Sequence, residues 1–135
     1  MDIFAEVKRL NLPMGQFVVF GSGPLMAHGI RDTTDVDLFV TPTLYQTLKA
    51  DGWEEKELNN PPGGVCLFRG IYEADDTWHY GAYNPRPEEI IAAADTICGV
   101  PFAPLVEVLK WKKAFGRPKD VADVGLIEAY MQARQ

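Results

Sequence analysis

Phe17-Val18-Val19-Phe20-Gly21-Ser22-Gly23-Pro24, followed after twelve intervening residues from Ser22 by Asp35-Val36-Asp37-Leu38-Phe39-Val40, decides how this chain folds. Both stretches are apolar runs of strand type. The first ends in a glycine-serine turn, and the second opens with two carboxylates one residue apart. Alternate residues of a strand share a face. Asp35 and Asp37 therefore point the same way, while Val36 and Leu38 face a core. Aspartate is disfavoured inside strands, and a buried carboxylate without a partner costs several kcal/mol. A polar turn over Asp32-Thr33-Thr34-Asp35 would explain Asp35, but not Asp37. Two like charges held together call for a cation between them.

Working outward, Ile3, Phe4, Val7 and Leu10 recur at helical spacing, which predicts a helix over 2–11 that Pro13 prevents from continuing. Pro24 suits the first turn of a helix reaching Gly29, and Thr41-Pro42 opens another that ends at Gly52. Trp53–Leu58 reads as a glutamate-rich edge strand, paired in a hairpin with a third apolar strand, Val65–Phe68. Asn59-Asn60-Pro61-Pro62-Gly63-Gly64 between them is the strongest turn signal in the sequence. Residues 72–85 are the least legible, with a further strand expected around Trp78. Helices are expected from Arg86-Pro87, from Pro104 to Phe115 and from Pro118 to about Ala133, with 95–102 extended. The fold class is α/β (α+β): a small mixed sheet flanked by helices, in one domain spanning 1–135.

At 135 residues, with 47% apolar and 24% charged residues, the composition is that of a soluble globular protein. A formal charge of −6 argues against a broad nucleic-acid surface, yet five of the thirteen basic residues (Lys110, Lys112, Lys113, Arg117, Lys119) fall within ten positions. The N-terminus carries charges where a signal peptide needs an apolar run, and no window approaches a membrane span, so the expected location is the cytoplasm and no membrane partner is expected. Cys66 and Cys98 match no metal-ligand spacing and read as two buried free thiols.

The glycine-serine turn has two readings. A strand, a glycine turn and a helix start aim free N–H groups at one point, which suits a phosphate held by Gly21, Ser22 and Gly23; by itself, Gly-Ser-Gly before a proline is more often a plain turn. The dinucleotide fingerprint and the lysine-bearing P-loop are both missing. Lys112 stands on the apolar side of its helix, with Leu105, Val108, Leu109 and Phe115 at seven, four and three residues before it and three after. A lysine there must snorkel out or reach a buried anion. A triphosphate at Ser22 is one such anion, which makes Lys112 a candidate nucleotide-binding residue. Asp120 and Asp123 read as structural acids pairing with the basic cluster. His28 and His79 lack ligand spacing; His79, between Trp78 and Tyr80, reads as an aromatic-cluster histidine with a general base as the alternative.

Gly21-Ser22, the gap and Asp35-Val36-Asp37-Leu38 resemble the signature of the nucleotidyltransferase superfamily typified by DNA polymerase β. Lys112-Lys113-Ala114-Phe115-Gly116-Arg117-Pro118-Lys119-Asp120-Val121-Ala122-Asp123 resembles small bacterial members, including abortive-infection toxins. The resemblance covers about residues 16–40 and 105–131. It implies a transferase that moves a nucleoside monophosphate from a nucleoside triphosphate to a hydroxyl on a tRNA 3′ end, a protein or a small molecule. It further implies Asp35 and Asp37 as ligands of Mg²⁺ or Mn²⁺, ATP among the candidate nucleotides, and an antitoxin partner for the toxin-type members. One departure stands out. The superfamily places a third carboxylate on the next core strand, and Val65-Cys66-Leu67-Phe68-Arg69 has none, with Cys66 where the acid would sit. Glu73, Asp75 and Asp76 are the nearest replacements, and Asp76 is taken as the third catalytic acid. Without a third acid, the alternative is a lapsed relative that serves as a nucleotide-binding or protein-interaction module.

Overall fold

In the computed structural model, which describes residues 1–58 and 63–135, seven strands form one mixed sheet in the order β3-β4-β5-β2-β1-β7-β6. At its centre lie β1 (Phe17–Phe20) and β2 (Val36–Val40), antiparallel, with Val18 opposite Phe39 and Phe20 opposite Asp37. Both strands are almost wholly buried, as continuous apolar runs require when both faces of a sheet are covered. β1 also pairs in parallel with β7 (Val100–Phe102), whose antiparallel partner β6 (Asp95–Ile97) forms one edge. The other edge is β3 (Glu54–Glu57), exposed along its length and dense in charge, which blunts an edge against unwanted pairing. β3 pairs with β4 (Val65–Arg69) as the expected hairpin; Asn59–Pro62 of its turn signal lie outside the described residues.

The illegible stretch holds the strand that matters. β5 (Tyr72–Asp75) is inserted between β4 and β2, parallel to β2 and antiparallel to β4. It ends before Trp78, which instead stacks on Phe20 at 4.5 Å between ring centroids. The strand expected around Trp78 therefore lies earlier, over residues whose alternation of Tyr72 and Ala74 with Glu73 and Asp75 has strand period.

One face of the sheet, with Val19, Val36, Leu38, Val40, Leu67 and Ala74, packs against α1 (Ile3–Arg9) and α3 (Pro42–Ala50). Asp2 caps α1 by accepting from the Phe4 and Ala5 N–H groups, and Thr41 caps α3 by accepting from Leu44 N–H. The opposite face, with Val18, Phe20 and Phe39, packs against α4 (Pro87–Ala93), α5 (Leu105–Phe115) and α6 (Pro118–Gln132) through Ile90, Val108, Trp111 and Ile127. Gly116 in the left-handed region (φ 70°) ends α5 and lets α6 fold back against it. Of the two cysteines, Cys66 is buried but Cys98 is exposed. With φ 50° beside Gly99, Cys98 makes the tight turn between β6 and β7, where a side chain has no core to enter. Among the described residues no helix is long and apolar enough to cross a membrane.

Candidate functional site

A cleft of about 710 Å³ opens where β2 and β5 meet the start of α6, on the face covered by α5 and α6. One wall carries Asp35, Asp37 and Glu73, and the other carries Arg31, Arg117 and Lys119 beside Ser22. Strand register brings the acids together. Asp37 lies directly opposite Glu73 in the parallel β2–β5 pair, and Asp35 precedes Asp37 by one pleat. Glu73 is therefore the carboxylate on the strand next to the aspartate pair. Asp76, the residue expected there, falls past the end of β5; its carboxylate accepts from Thr77 Oγ1 at 3.3 Å and does not line the cleft. β4, expected as the neighbouring core strand, stands one place further out, with Phe68 opposite Glu73. The alternation Tyr72-Glu73-Ala74-Asp75 carried the signal, since it repeats the apolar-acid pattern of Asp35-Val36-Asp37-Leu38.

The backbone turn after β1 is built around Asp37. Gly21 adopts φ 60°, and a Cβ there would collide with the Asp37 carboxylate, so glycine is required on two counts. A Cβ on Gly23 would meet Val19 Cγ1 at 2.5 Å and Ile3 Cδ1 at 2.9 Å, so that glycine lets the short helix α2 (Gly23–Ala27) approach β1 and α1. Of the turn's three residues, Ser22 is the one that lines the cleft.

Asp37 is pushed up to about 7, first by burial and then by the charges of Glu73 and Asp35, with Lys112 and Lys119 opposing. Asp75, next on the same face of β5, is raised well above the ordinary carboxylate range by burial and by Glu73. Cys66 shares that face, its thiol pushed up to about 12 by burial and then by Asp75 and Glu73. This side of the cleft thus crowds carboxyl groups with which, among the described residues, no lysine or arginine forms an ion pair.

The opposite side is compensated. Arg31 donates from Nε and Nη2 to Asp123 at 2.7 Å each, and from Nη2 to Ser22 Oγ at 2.9 Å. Lys112 reaches Asp123 at 2.8 Å and Asp120 at 3.4 Å. Arg117 donates to both oxygens of Asp120, at 2.6 and 3.0 Å. Burial alone would raise Asp123, but the hydrogen bonds from Arg31 and Lys112 overcome it and hold the group at about 2. Asp120 is lowered in the same way by Arg117. The Lys112 side chain is 1% exposed, so the buried anion it reaches is a pair of the chain's own carboxylates, as the structural reading of Asp120 and Asp123 required. Arg31, Arg117 and Lys119 are the cations that face the cleft. Lys110 and Lys113 pair outside it with Glu107 and Glu128, and His79 is exposed.

Trp78, Tyr80, Trp111 and Phe115 close the cleft with a wall of rings. Trp78 and Trp111 lie 5.2 Å apart edge to face, and the Arg117 guanidinium carbon lies over Phe115, 3.7 Å from the ring centre. Sequence reading missed Arg117, Lys119 and this wall as parts of one site, because only the return of α6 onto α5 brings them beside β2.

No protein-family model and no curated protein matches the sequence. Among solved structures, the fold is similar to that of the aminoglycoside nucleotidyltransferase ANT(2″)-Ia, determined in complex with adenylyl-2″-tobramycin. The TM-score is 0.52 over 98% of this chain and 87% of that one, at 18% identity. At that identity the likeness is one of architecture: the mixed sheet and its flanking helices form a nucleotidyltransferase-like fold.

Proposed function

We propose that residues 1–135 act as a single nucleotidyltransferase domain that moves a nucleoside monophosphate from a nucleoside triphosphate to the hydroxyl of a small acceptor. The observation that carries this reading is the register of β2 and β5, which sets Glu73 opposite Asp37 across from Arg31, Arg117 and Lys119. The all-oxygen donor set of Asp35, Asp37 and Glu73 suits Mg²⁺ or Mn²⁺. Its crowding of negative charge, with Asp37 held near 7, fits a site completed by divalent cations. When bound, such ions would polarise the α-phosphate, favour the alkoxide of the acceptor and neutralise the departing pyrophosphate.

The chain's own groups do the rest. Arg31, Arg117 and Lys119, with the Ser22 hydroxyl, bind and orient the polyphosphate; Lys112 positions them by fixing Asp120 and Asp123. The aromatic wall offers stacking surface for the base and keeps water from the reacting phosphorus. Glu73 takes the proton of the attacking hydroxyl as the new P–O bond forms and the bond to pyrophosphate breaks. ATP is a candidate donor. A small acceptor is favoured over a tRNA 3′ end by the acidic wall and the net charge of −6, and by the small-molecule adduct held by the structural neighbour. Toxin activity and an antitoxin partner rest on sequence resemblance alone. Glu73, as the proposed third acid, favours the transferase over the alternative of a lapsed relative that serves as a nucleotide-binding or protein-interaction module.

The test supplies labelled nucleoside triphosphates, Mg²⁺ and a panel of hydroxylated small molecules, and follows label in the acceptor. Metal-dependent transfer that vanishes in Asp37→Ala and Glu73→Gln is expected. Transfer that persists undiminished in both variants, or no transfer and no nucleotide binding in the wild type, overturns the proposal.

A further inference from the structure

One pleat along the strands from the cleft, Cys66 Sγ and a carboxylate oxygen each of Glu73 and Asp75 lie within 4.8 Å of one another. Cys66 is fully buried and Asp75 is 4% exposed. Among the described residues, no backbone N–H, amide, hydroxyl, lysine or arginine pairs with the Asp75 carboxyl; the group it meets is Glu73, another acid. Lys56, opposite Cys66 on β3, is turned elsewhere: its ammonium lies 4.0 Å from Glu54 and 4.8 Å from the Phe68 ring centre. A carboxylate so buried ordinarily finds a donor or a cation. Here it meets a thiol and a second carboxylate.

We propose that Cys66, Glu73 and Asp75 form a second metal site, selective for a thiophilic divalent cation such as Zn²⁺, which shares Glu73 with the cleft. The donor set supports that selectivity. Mg²⁺ takes oxygen ligands and near-octahedral geometry, whereas one sulfur and two carboxylate oxygens with an open fourth position match tetrahedral zinc. In such a sphere the ligand atoms stand about 3.4–3.7 Å apart, so closing from 4.8 Å or less takes shifts of about 1 Å, within reach of side-chain rotation. Binding releases the thiol proton to solvent as the metal–sulfur bond forms. A metal held here draws Glu73 away from Asp37. If nucleotidyl transfer is the function, Zn²⁺ then inhibits by removing the third carboxylate rather than by displacing nucleotide.

The experiment titrates Co²⁺, the spectroscopic stand-in for Zn²⁺, into the full chain with excess Mg²⁺ and without nucleotide, following the thiolate-to-metal charge-transfer band. One equivalent of Co²⁺ is expected to develop the band, and Zn²⁺ to bleach it. Cys66→Ser should abolish it, Asp75→Asn should weaken Co²⁺ affinity about tenfold or more, and Cys98→Ser should change neither. Absence of the band in the wild type overturns the proposal, as does a band that survives Cys66→Ser or is lost in Cys98→Ser. Should Cys66→Ser fail to fold, Asp75→Asn decides, and undiminished affinity there is contrary. Because this readout needs no nucleotide, it stands or falls separately from the transferase assay. In that assay, Zn²⁺ should slow the wild type and spare Cys66→Ser.

Discussion

Two groups of aspartates flank one cleft, and they differ in what neutralises them. Asp120 and Asp123, on α6, are among the most buried charged groups in the molecule, and each is gripped by cations: Lys112 reaches both, Arg117 holds Asp120 and Arg31 holds Asp123. Both are held below the ordinary carboxylate range. Asp37 and Asp75, on β2 and β5, face Glu73 instead, with Asp35 adding to the charge at Asp37 and Asp37 to that at Asp75, and both are raised. Burial alone therefore does not distinguish a structural acid from a functional one. The distinguishing feature is whether the protein supplies the counter-charge. Where it does, the carboxylates join α6 to α5; where it does not, the acids stay uncompensated, which is what the proposed metal site requires.

The largest expected effect tests the uncompensated side. Asp37→Ala should lower nucleotidyl transfer about a thousandfold, equivalent to several kcal/mol of transition-state stabilisation, while far-ultraviolet circular dichroism stays native. An intact rate would erase the distinction between the two groups. Next, Lys112→Met leaves Asp120 and Asp123 short of a buried cation and should cost about 3–5 kcal/mol in denaturant unfolding. A loss under about 1 kcal/mol would show that Arg31 and Arg117 suffice without it. The two groups should also separate by pH. The stability contributed by Asp123 is present above its ordinary value of 3.8 and is lost as pH falls through about 2. That of protonated Asp37 is present below 3.8 and is lost as pH rises through about 7. Metal-free protein should thus lose about 1–3 kcal/mol between pH 4 and pH 8 from Asp37, a loss that calorimetry should find missing in Asp37→Asn. Smallest of all, Asp76→Asn should change the transfer rate less than about twofold, because its carboxylate meets Thr77 outside the cleft. A loss as deep as that of Glu73→Gln would return Asp76 to the site.

Most of the architecture was legible because apolar periodicity, Pro-opened helices and Gly stops are local signals, and they placed β1, β2, the β3–β4 hairpin and α3 to α6. The Asp35/Asp37 pair was legible for the same reason: an acid inside an apolar strand conflicts with its surroundings. β5 was not, since four residues with two acids carry too little apolar weight to be told from a loop until β2 and β4 are seen on either side. Without β5, the expected third acid fell on Asp76 rather than on Glu73, the acid that lies opposite Asp37. The partners of Lys112 depended on tertiary structure in another way. Its apolar helix position left it to snorkel out or to reach a buried anion, and only the turn at Gly116 shows that α6 brings two.

The most direct test of the central claim is the melting temperature at pH 8 of wild type and Asp37→Asn, each with and without Mg²⁺ and ATP. Without metal, Asp37→Asn should melt higher, because it carries no charge to bury. Mg²⁺ with ATP should raise the wild type and leave the variant unmoved. Equal responses from the two proteins, or a metal-free variant that melts lower, would contradict a site whose carboxylates await a divalent cation.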